Sequence, residues 1–249
     1  MSAPLISVRN LCVGYGETVL LDSASFDVAP GDIFVILGGS GCGKSTLLRH
    51  LVGLDKARSG EITIAGVGTP ALEGLAPRYG VMFQSGALFS SMTVGENVAF
   101  ALNEWTELPT EAVLAIVRAK LALVGLEGTE DKLPAELSGG MRKRAAIARA
   151  LALEPQLVFL DEPSAGLDPI SAAELDQLIL ALNRGLGLTV VMVTHELESI
   201  FKVGKSCIML DRVSRSIIAR GQPSRLRTES QDPRVLQFFN RETSVPGWQ

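Results

Sequence analysis

Hydrophobic and polar positions in this chain follow two alternating rhythms. Short apolar or alternating runs at 6–8, 18–21, 25–28, 33–37, 61–65 and 80–84 predict strands in the first third. The run at 33–37 is apolar throughout, as a strand covered on both faces must be. A helix is predicted over 44–54. Beyond residue 85 the rhythm changes, and 111–124 carries apolar residues at spacings of three and four. A further helix is predicted over 142–153, ending before Pro155. After Pro155 the first pattern returns, with strands at 157–160, 189–194 and 206–210 and a helix at 170–184. Buried strands alternating with helices predict an α/β fold with a parallel sheet, and the stretch 86–155 reads as a helical insertion. The tail from Gly221 is polar and proline-punctuated, with an apolar patch at Val235, Leu236, Phe238 and Phe239.

Composition narrows the class. The 249 residues are 47% hydrophobic and 20% charged, enough apolar material for one large domain or two lobes. A net charge of -4 argues against a general nucleic-acid binder, so no nucleic acid is expected as partner. Cys12, Cys42 and Cys207 are an odd count without metal-ligand spacing, which suits a reduced, cytoplasmic protein. The N-terminal residues contain no apolar signal core, and no apolar run reaches the roughly 18 residues of a spanning helix. A role at a membrane would therefore run through a partner, from the water side.

Candidate chemistry begins after the strand at 33–37. Gly38-Gly39-Ser40-Gly41-Cys42-Gly43-Lys44-Ser45-Thr46 matches the P-loop pattern, with a strand before it and a helix after it. Glycines let the backbone curl so that its N–H groups face a phosphate chain, and the helix end adds positive potential. Lys44 would reach the β- and γ-phosphates, and Ser45 would ligate Mg²⁺. Cys42 reads as a small filler of the loop. At this point a GTPase or a kinase remains open. The strand at 157–160 then ends in Asp161-Glu162. Ligands sit at the carboxyl ends of parallel strands, so Asp161 would help hold Mg²⁺ and Glu162 would polarise the attacking water.

Leu137-Ser138-Gly139-Gly140-Met141 stands shortly before that strand. Here the chain resembles the ABC ATPase family, whose signature is usually written LSGGQ. The resemblance covers roughly residues 6–221 and implies a P-loop NTPase fold. That fold is a RecA-like parallel core with an N-terminal antiparallel β subdomain and an inserted α-helical subdomain. The implied layout is a core lobe over 1–85 and 156–221, a helical subdomain over about 86–155, and a C-terminal extension over 222–249. It implies ATP and Mg²⁺ as cofactors and a head-to-tail homodimer. In that dimer Ser138, Gly139 and Gly140 of one copy cap the γ-phosphate held by the other. By the same resemblance Tyr15 stacks on adenine. Gln84 is the Q-loop glutamine that senses Mg²⁺ and the γ-phosphate, Asp168 belongs to the D-loop, and His195 is the switch histidine. His50, on the helix after the P-loop, reads as structural. Met141 and Ala165 stand where the family more often has glutamine and threonine.

Phe83-Gln84-Ser85-Gly86-Ala87-Leu88-Phe89, Met141-Arg142-Lys143-Arg144, Asp168-Pro169-Ile170 and Asp232-Pro233-Arg234-Val235 resemble the ATPase subunits of Mla-type phospholipid transporters and the related Mce-type lipid-uptake systems. That implies an integral-membrane permease, an MCE-domain lipid binder and a STAS-domain protein as partners, at the cytoplasmic face of the inner membrane. The segment 86–97, with Leu88, Phe89, Met92 and Val94, is expected to dock the permease; ordinary core is the alternative. The stretch 233–240 is expected to form a short amphipathic helix that packs on the partner subunit, against the alternative of a loose terminus. The competing functions are an amino-acid or ion importer ATPase, a soluble ABC protein of repair or translation, and an assembly scaffold ATPase.

Overall fold

The structure is a computed structural model that describes residues 3–70 and 77–241. The chain divides into two compact units, Met1–Ala71 with Val193–Gln249, and Leu72–Met192.

The first unit opens with long strands β1 (Ile6–Tyr15) and β2 (Thr18–Val28), paired antiparallel. Each is longer than its apolar run, because β-bulges between Val8 and Val13 absorb the polar Arg9 and Asn10 without breaking the ladder. β4 (Ser59–Ile64) pairs antiparallel with β1 on its other side. β3 (Ile33–Gly38) is buried along its whole length and pairs in parallel with β8 (Ser206–Asp211). β9 (Ser216–Gly221), which the sequence pattern did not predict, adds antiparallel to β8. α1 (Lys44–Leu51) follows β3 and stops three residues before the predicted end, where Gly53 at φ 71 turns the chain. α6 (Leu197–Val203) precedes β8.

The polar tail folds into α7 (Pro223–Glu229) and α8 (Pro233–Asn240), both begun by a proline at the first turn. The expected helix at 233–240 is present, but its apolar face packs on its own chain. Val235 is fully buried, and the ring of Phe239 lies 5.6 Å from that of Phe201 on α6. Arg234 adds an ion pair to Asp211 at 2.9 Å. Residues 242–249 of the expected extension lie outside the described residues. Phe239→Ala removes the main apolar anchor of α8, and a buried Phe→Ala change costs about 3–5 kcal/mol. Local release of a terminal helix is the cheapest response. Tryptic cleavage after Arg234 is expected to accelerate at least about tenfold in the variant while the remaining chain stays protected.

The second unit contains β5 (Gly80–Met82) and β6 (Leu157–Asp161), paired in parallel, with β7 (Thr189–Val193) beside β6. β6 and β7 are buried along their whole length. Three helices lie between β5 and β6 in sequence: α2 (Val94–Trp105), α3 (Thr110–Leu123) and α4 (Gly139–Ala150). α2 begins with a capping box, Thr93 and Glu96 exchanging side-chain and backbone bonds. α4 begins at Gly139, not at the expected residue 142, because Ser138 supplies an N-cap and draws both glycines into the first turn. α5 (Pro169–Leu186) has Asp168 as N-cap and ends at Gly187 in the left-handed conformation. β5 runs close under α4: a Cβ on Gly80 would stand 2.1 Å from the carbonyl oxygen of Ala150, so only glycine fits there. Among the described residues, no helix is long and apolar enough to cross a membrane.

Candidate nucleotide site

In the first unit β3 delivers the chain into the loop Gly38–Thr46. Gly38 has φ 143, and a Cβ there would stand 2.5 Å from both the Cys42 sulfur and the Leu210 carbonyl oxygen. The loop thus leaves β3 flush against β8, which only glycine permits. A Cβ on Gly39 or Gly41 would meet no atom within 4 Å, so the face they present is open. Lys44 folds back over the loop and donates to the carbonyls of Gly38 and Gly39 at 2.9 and 3.1 Å. Gly43, left-handed at φ 98, starts α1, whose first turn holds no acidic residue. That helix end keeps its positive potential for an anion, whereas α2 and α3 place Glu96 and Glu111 there. Thr46 is buried, and His50 sits inside α1 with Nδ1 2.7 Å from the Thr46 carbonyl oxygen, a structural contact.

Cys42 fills the space behind the loop at 1% exposure, and burial pushes its thiol up from the ordinary value. Burial pushes the Cys207 thiol up to about 12. Thiolates are the reactive form, so both are inert near neutrality. Iodoacetamide at pH 8 is expected to modify the native chain at Cys12 alone, the one cysteine that is not buried, as peptide mass spectrometry would read. Labelling of Cys42 at the rate of a free thiol would contradict this packing.

Tyr15 is half exposed, and its hydroxyl donates to Asp55 at 3.4 Å; Arg49 holds the same carboxylate through two bonds of 2.7 and 3.0 Å. The Tyr15 ring is thus anchored at its hydroxyl end beside the loop's helix. His195 follows β7 and is exposed, with Nε2 3.6 Å from Glu196.

In the second unit, β6 ends in Asp161 and Glu162, 9% and 7% exposed. Glu162 has φ 46, a left-handed conformation that a non-glycine residue adopts at a cost of about 1–2 kcal/mol. Strain of this kind concentrates where geometry serves chemistry. Gln84 is exposed just past β5. Ser138 caps α4, accepting from the Met141 amide at 3.2 Å, and α4 again has no acid in its first turn. Gly139 and Gly140 approach Leu167 and Ser171, at 3.4 and 3.5 Å from where a Cβ would be. Asp168 is seen as a helix cap. It accepts from the amides of Ile170 and Ser171, both at 3.0 Å, and the Ser171 hydroxyl and these amides hold its carboxyl below the usual range.

Sequence reasoning missed Lys143, Arg149 and Asn97. Lys143 is 8% exposed; its ammonium donates to the carbonyl of Gln84 and, at 3.4 Å, to that of Glu162. Burial lowers its pKa, an effect opposed by Asp161 and Glu162. The available signal was its position: three and four residues before the buried Ala146 and Ile147, on an apolar face. Asn97 is fully buried and ties the loop before α2, bonding the carbonyls of Phe89, Met92 and Thr93 and accepting from the Phe89 amide. Val94, placed by sequence on the docking surface, is fully buried instead, because it opens α2 on the core side. Phe89 and Phe100 are exposed, with ring centroids 5.1 Å apart.

The fit to MgATP rests on the open, glycine-lined face of the loop and on donor chemistry. Ser45 in the first unit, and Gln84 and Asp161 in the second, each offer a hard oxygen donor of the kind Mg²⁺ takes. Among the described residues, no cluster of three or more His, Cys, Asp or Glu could hold a metal ion by itself.

The sequence model of the ABC transporter family matches residues 21–165, which contain the P-loop, Gln84, the signature and the acidic pair. The chain belongs to the ABC transporter family. Within it the chain is an ATPase subunit, with the family's mixed parallel and antiparallel P-loop fold. Among curated ABC proteins it is 40% identical to the intermembrane phospholipid transport system ATP-binding protein MlaF of Haemophilus influenzae, over 99% of this chain and 94% of that one. MlaF of Escherichia coli is also 40% identical, over 96% of this chain and 89% of its own. The "Probable ribonucleotide transport ATP-binding protein mkl" of Mycobacterium leprae is 40% identical over 94% of this chain and 68% of its own length. Among solved ABC structures, cbiO1 of Clostridium perfringens, part of the transporter complex cbiONQ, superposes with a TM-score of 0.81 at 29% identity, covering 92% of each chain. The dimeric cassette MJ0796, in a post-hydrolysis state with ADP and Pi, gives a TM-score of 0.77 at 30% identity, covering 87% of this chain and 98% of that one.

Proposed function

We propose that this chain is the ATP-hydrolysing subunit of a transporter that moves phospholipids between bacterial membranes. The observation that carries this reading is the 40% identity to MlaF of Haemophilus influenzae across almost the full length of both chains. Two copies close head to tail around two MgATP. Lys44, Ser45 and the loop amides grip the triphosphate, and Tyr15 stacks on the adenine. Ser138 and Gly140 of the other copy cap the γ-phosphate with a helix end free of acids. Ser45, Gln84 and Asp161 would hold Mg²⁺ through oxygen donors, and the ion would supply neutralising charge to the triphosphate. Glu162 takes the proton of the attacking water and His195 orients the site. Asp168 acts through its cap, fixing the turn before α5. Closure excludes bulk water, and hydrolysis removes the contact that joins the copies.

The helices over 86–155 carry the motion to an integral-membrane permease at the cytoplasmic face of the inner membrane. Phe89, on the loop stiffened by Asn97, and Phe100, on α2, form the apolar contact. An MCE-domain lipid binder and a STAS-domain protein complete the assembly.

The mkl relative supports a second reading, a ribonucleotide transporter with the same ATPase chemistry. Purification of the chain from detergent-solubilised membranes of its own host, followed by native mass spectrometry, separates the two. The proposal expects a co-purifying permease with bound phospholipid. A complex with ribonucleotide bound to the permease would favour the second reading, and a chain that never co-purifies with a membrane protein would exclude both.

A further inference from the structure

Helix α4 carries the signature at its first turn, the buried Lys143 just after Arg142, and the half-buried Arg149 near its end. Six positions apart, Lys143 and Arg149 both reach backbone carbonyls of one distant segment. Lys143 donates to the carbonyl of Gln84; Arg149 donates to that of Gly86 at 3.1 Å and to that of Ala87. Gly86 and Ala87 are both left-handed, at φ 79 and 49. Two such residues in succession turn the chain back on itself, and Ala87 holds a conformation that a Cβ disfavours. The guanidinium meets both carbonyls of that turn, which is what a planar fork of donors can do and a single ammonium cannot. Lys143 does a second thing. Its ammonium also lies 3.4 Å from the carbonyl oxygen of Glu162, itself left-handed at φ 46. One buried cation therefore spans the segment after β5 and the end of β6.

These bonds are costly to lose. The Lys143 bond to the Glu162 carbonyl is buried, and a buried carbonyl stripped of its partner keeps its desolvation penalty; the other three also have a charged donor, which makes the stronger hydrogen bond. The lysine is too buried to be a solvated surface charge, at 8% exposure. Neither residue touches a reacting atom.

We propose that Lys143 and Arg149 are positioning residues: Lys143 sets the carbonyls of Gln84 and Glu162 against the start of the signature helix, and Arg149 fixes the turn at Gly86 and Ala87. The backbone that carries the hydrolytic carboxylate thus takes its place partly from a side chain on α4. This inference rests on the ATPase reading above. It assigns to α4 the setting of the carboxylate's position, while nucleotide affinity stays with the P-loop.

The test uses the full-length chain and compares turnover with equilibrium binding of a non-hydrolysable MgATP analogue. Lys143→Met keeps the length and apolar stem but removes every donor. A small misplacement of a catalytic group is expensive, so its kcat is expected to fall about tenfold or more. Its affinity for the analogue should stay within about threefold of the parent, since the loop is untouched. Lys143→Gln keeps an N–H donor and is expected to recover most of the turnover. Arg149→Lys keeps the charge but not the fork, and is expected to lower kcat with unchanged affinity. Parental turnover in Lys143→Met, equal losses in the Met and Gln variants, or turnover lost in step with affinity would each overturn the inference. If Lys143→Met does not fold, Arg149→Lys decides, and parental turnover there overturns it. A parent chain that binds MgATP without hydrolysing it would overturn the ATPase reading and this inference together. An active parent beside an active Lys143→Met would overturn this inference alone.

Discussion

Glu162→Gln is expected to bind MgATP at least as tightly as the parent and to lose turnover by about 10²–10⁴-fold, the usual contribution of a positioned general base. The substitution is nearly isosteric, so the packing around a side chain only 7% exposed survives it. The left-handed backbone at φ 46 is strained to a similar degree for either residue, so folding is not the variable. What changes is charge and basicity. The amide cannot accept the proton of water, and it no longer repels the triphosphate. The same loss of repulsion should favour the closed pair of copies. Size-exclusion chromatography of the variant with MgATP is expected to show a dimer that the parent forms only transiently. Undiminished hydrolysis would remove Glu162 from its role, and a strictly monomeric variant under saturating MgATP would remove the shared site.

Lys44→Ala should act on the other half of the cycle, by weakening binding. The ammonium donates to the carbonyls of Gly38 and Gly39, so the side chain lies folded over the loop. A phosphate chain offers the same ammonium charged acceptors in place of neutral ones. Charge-assisted bonds are each worth about 1.5–3 kcal/mol, so two lost contacts lower affinity by roughly 10²–10⁴-fold. Lys44 is only half-buried and water can reach the two carbonyls, so the melting temperature without nucleotide should move little. The rise in melting temperature that MgATP gives the parent should vanish. Calorimetric titration and thermal scans together check this. Binding within a few-fold of the parent would mean that the loop amides, not the lysine, dominate the grip.

The two variants divide the site as its construction suggests. The P-loop is a local object, in which strand, turn and helix start follow one another within nine residues and require glycine where the backbone demands it. The acidic pair is similar, a buried run that ends in charge because the sheet ends there. Strings of this kind report their own geometry. That is why the strand–loop–helix of the P-loop and the buried strand before the acidic pair were legible without coordinates. The α/β alternation was legible for the same reason, since β3, β6 and β7 are apolar at nearly every position and only sheets covered on both faces need such runs.

Boundaries were less legible where a cap or bulge overrides the apolar rhythm. α4 starts three residues early because Ser138 satisfies the first amides, and β1 and β2 run on through polar residues because bulges absorb them. Both corrections come from backbone hydrogen bonding, which hydropathy does not report.

The sequence by itself determined the family and the alternation of buried strands with helices, because each depends on residues close together in the chain. Tertiary structure alone decided which cations are buried and what they hold. Lys143 and Gln84 are 59 residues apart, and Arg149 and Gly86 are 63. It also decided that Val94 is core, that Asn97 ties a loop, and that α8 turns its apolar face to Phe201. A side chain's partner across such separations is set by packing, which minimises unsatisfied buried polar groups and exposed apolar surface over the whole unit at once. No local window of sequence contains that sum.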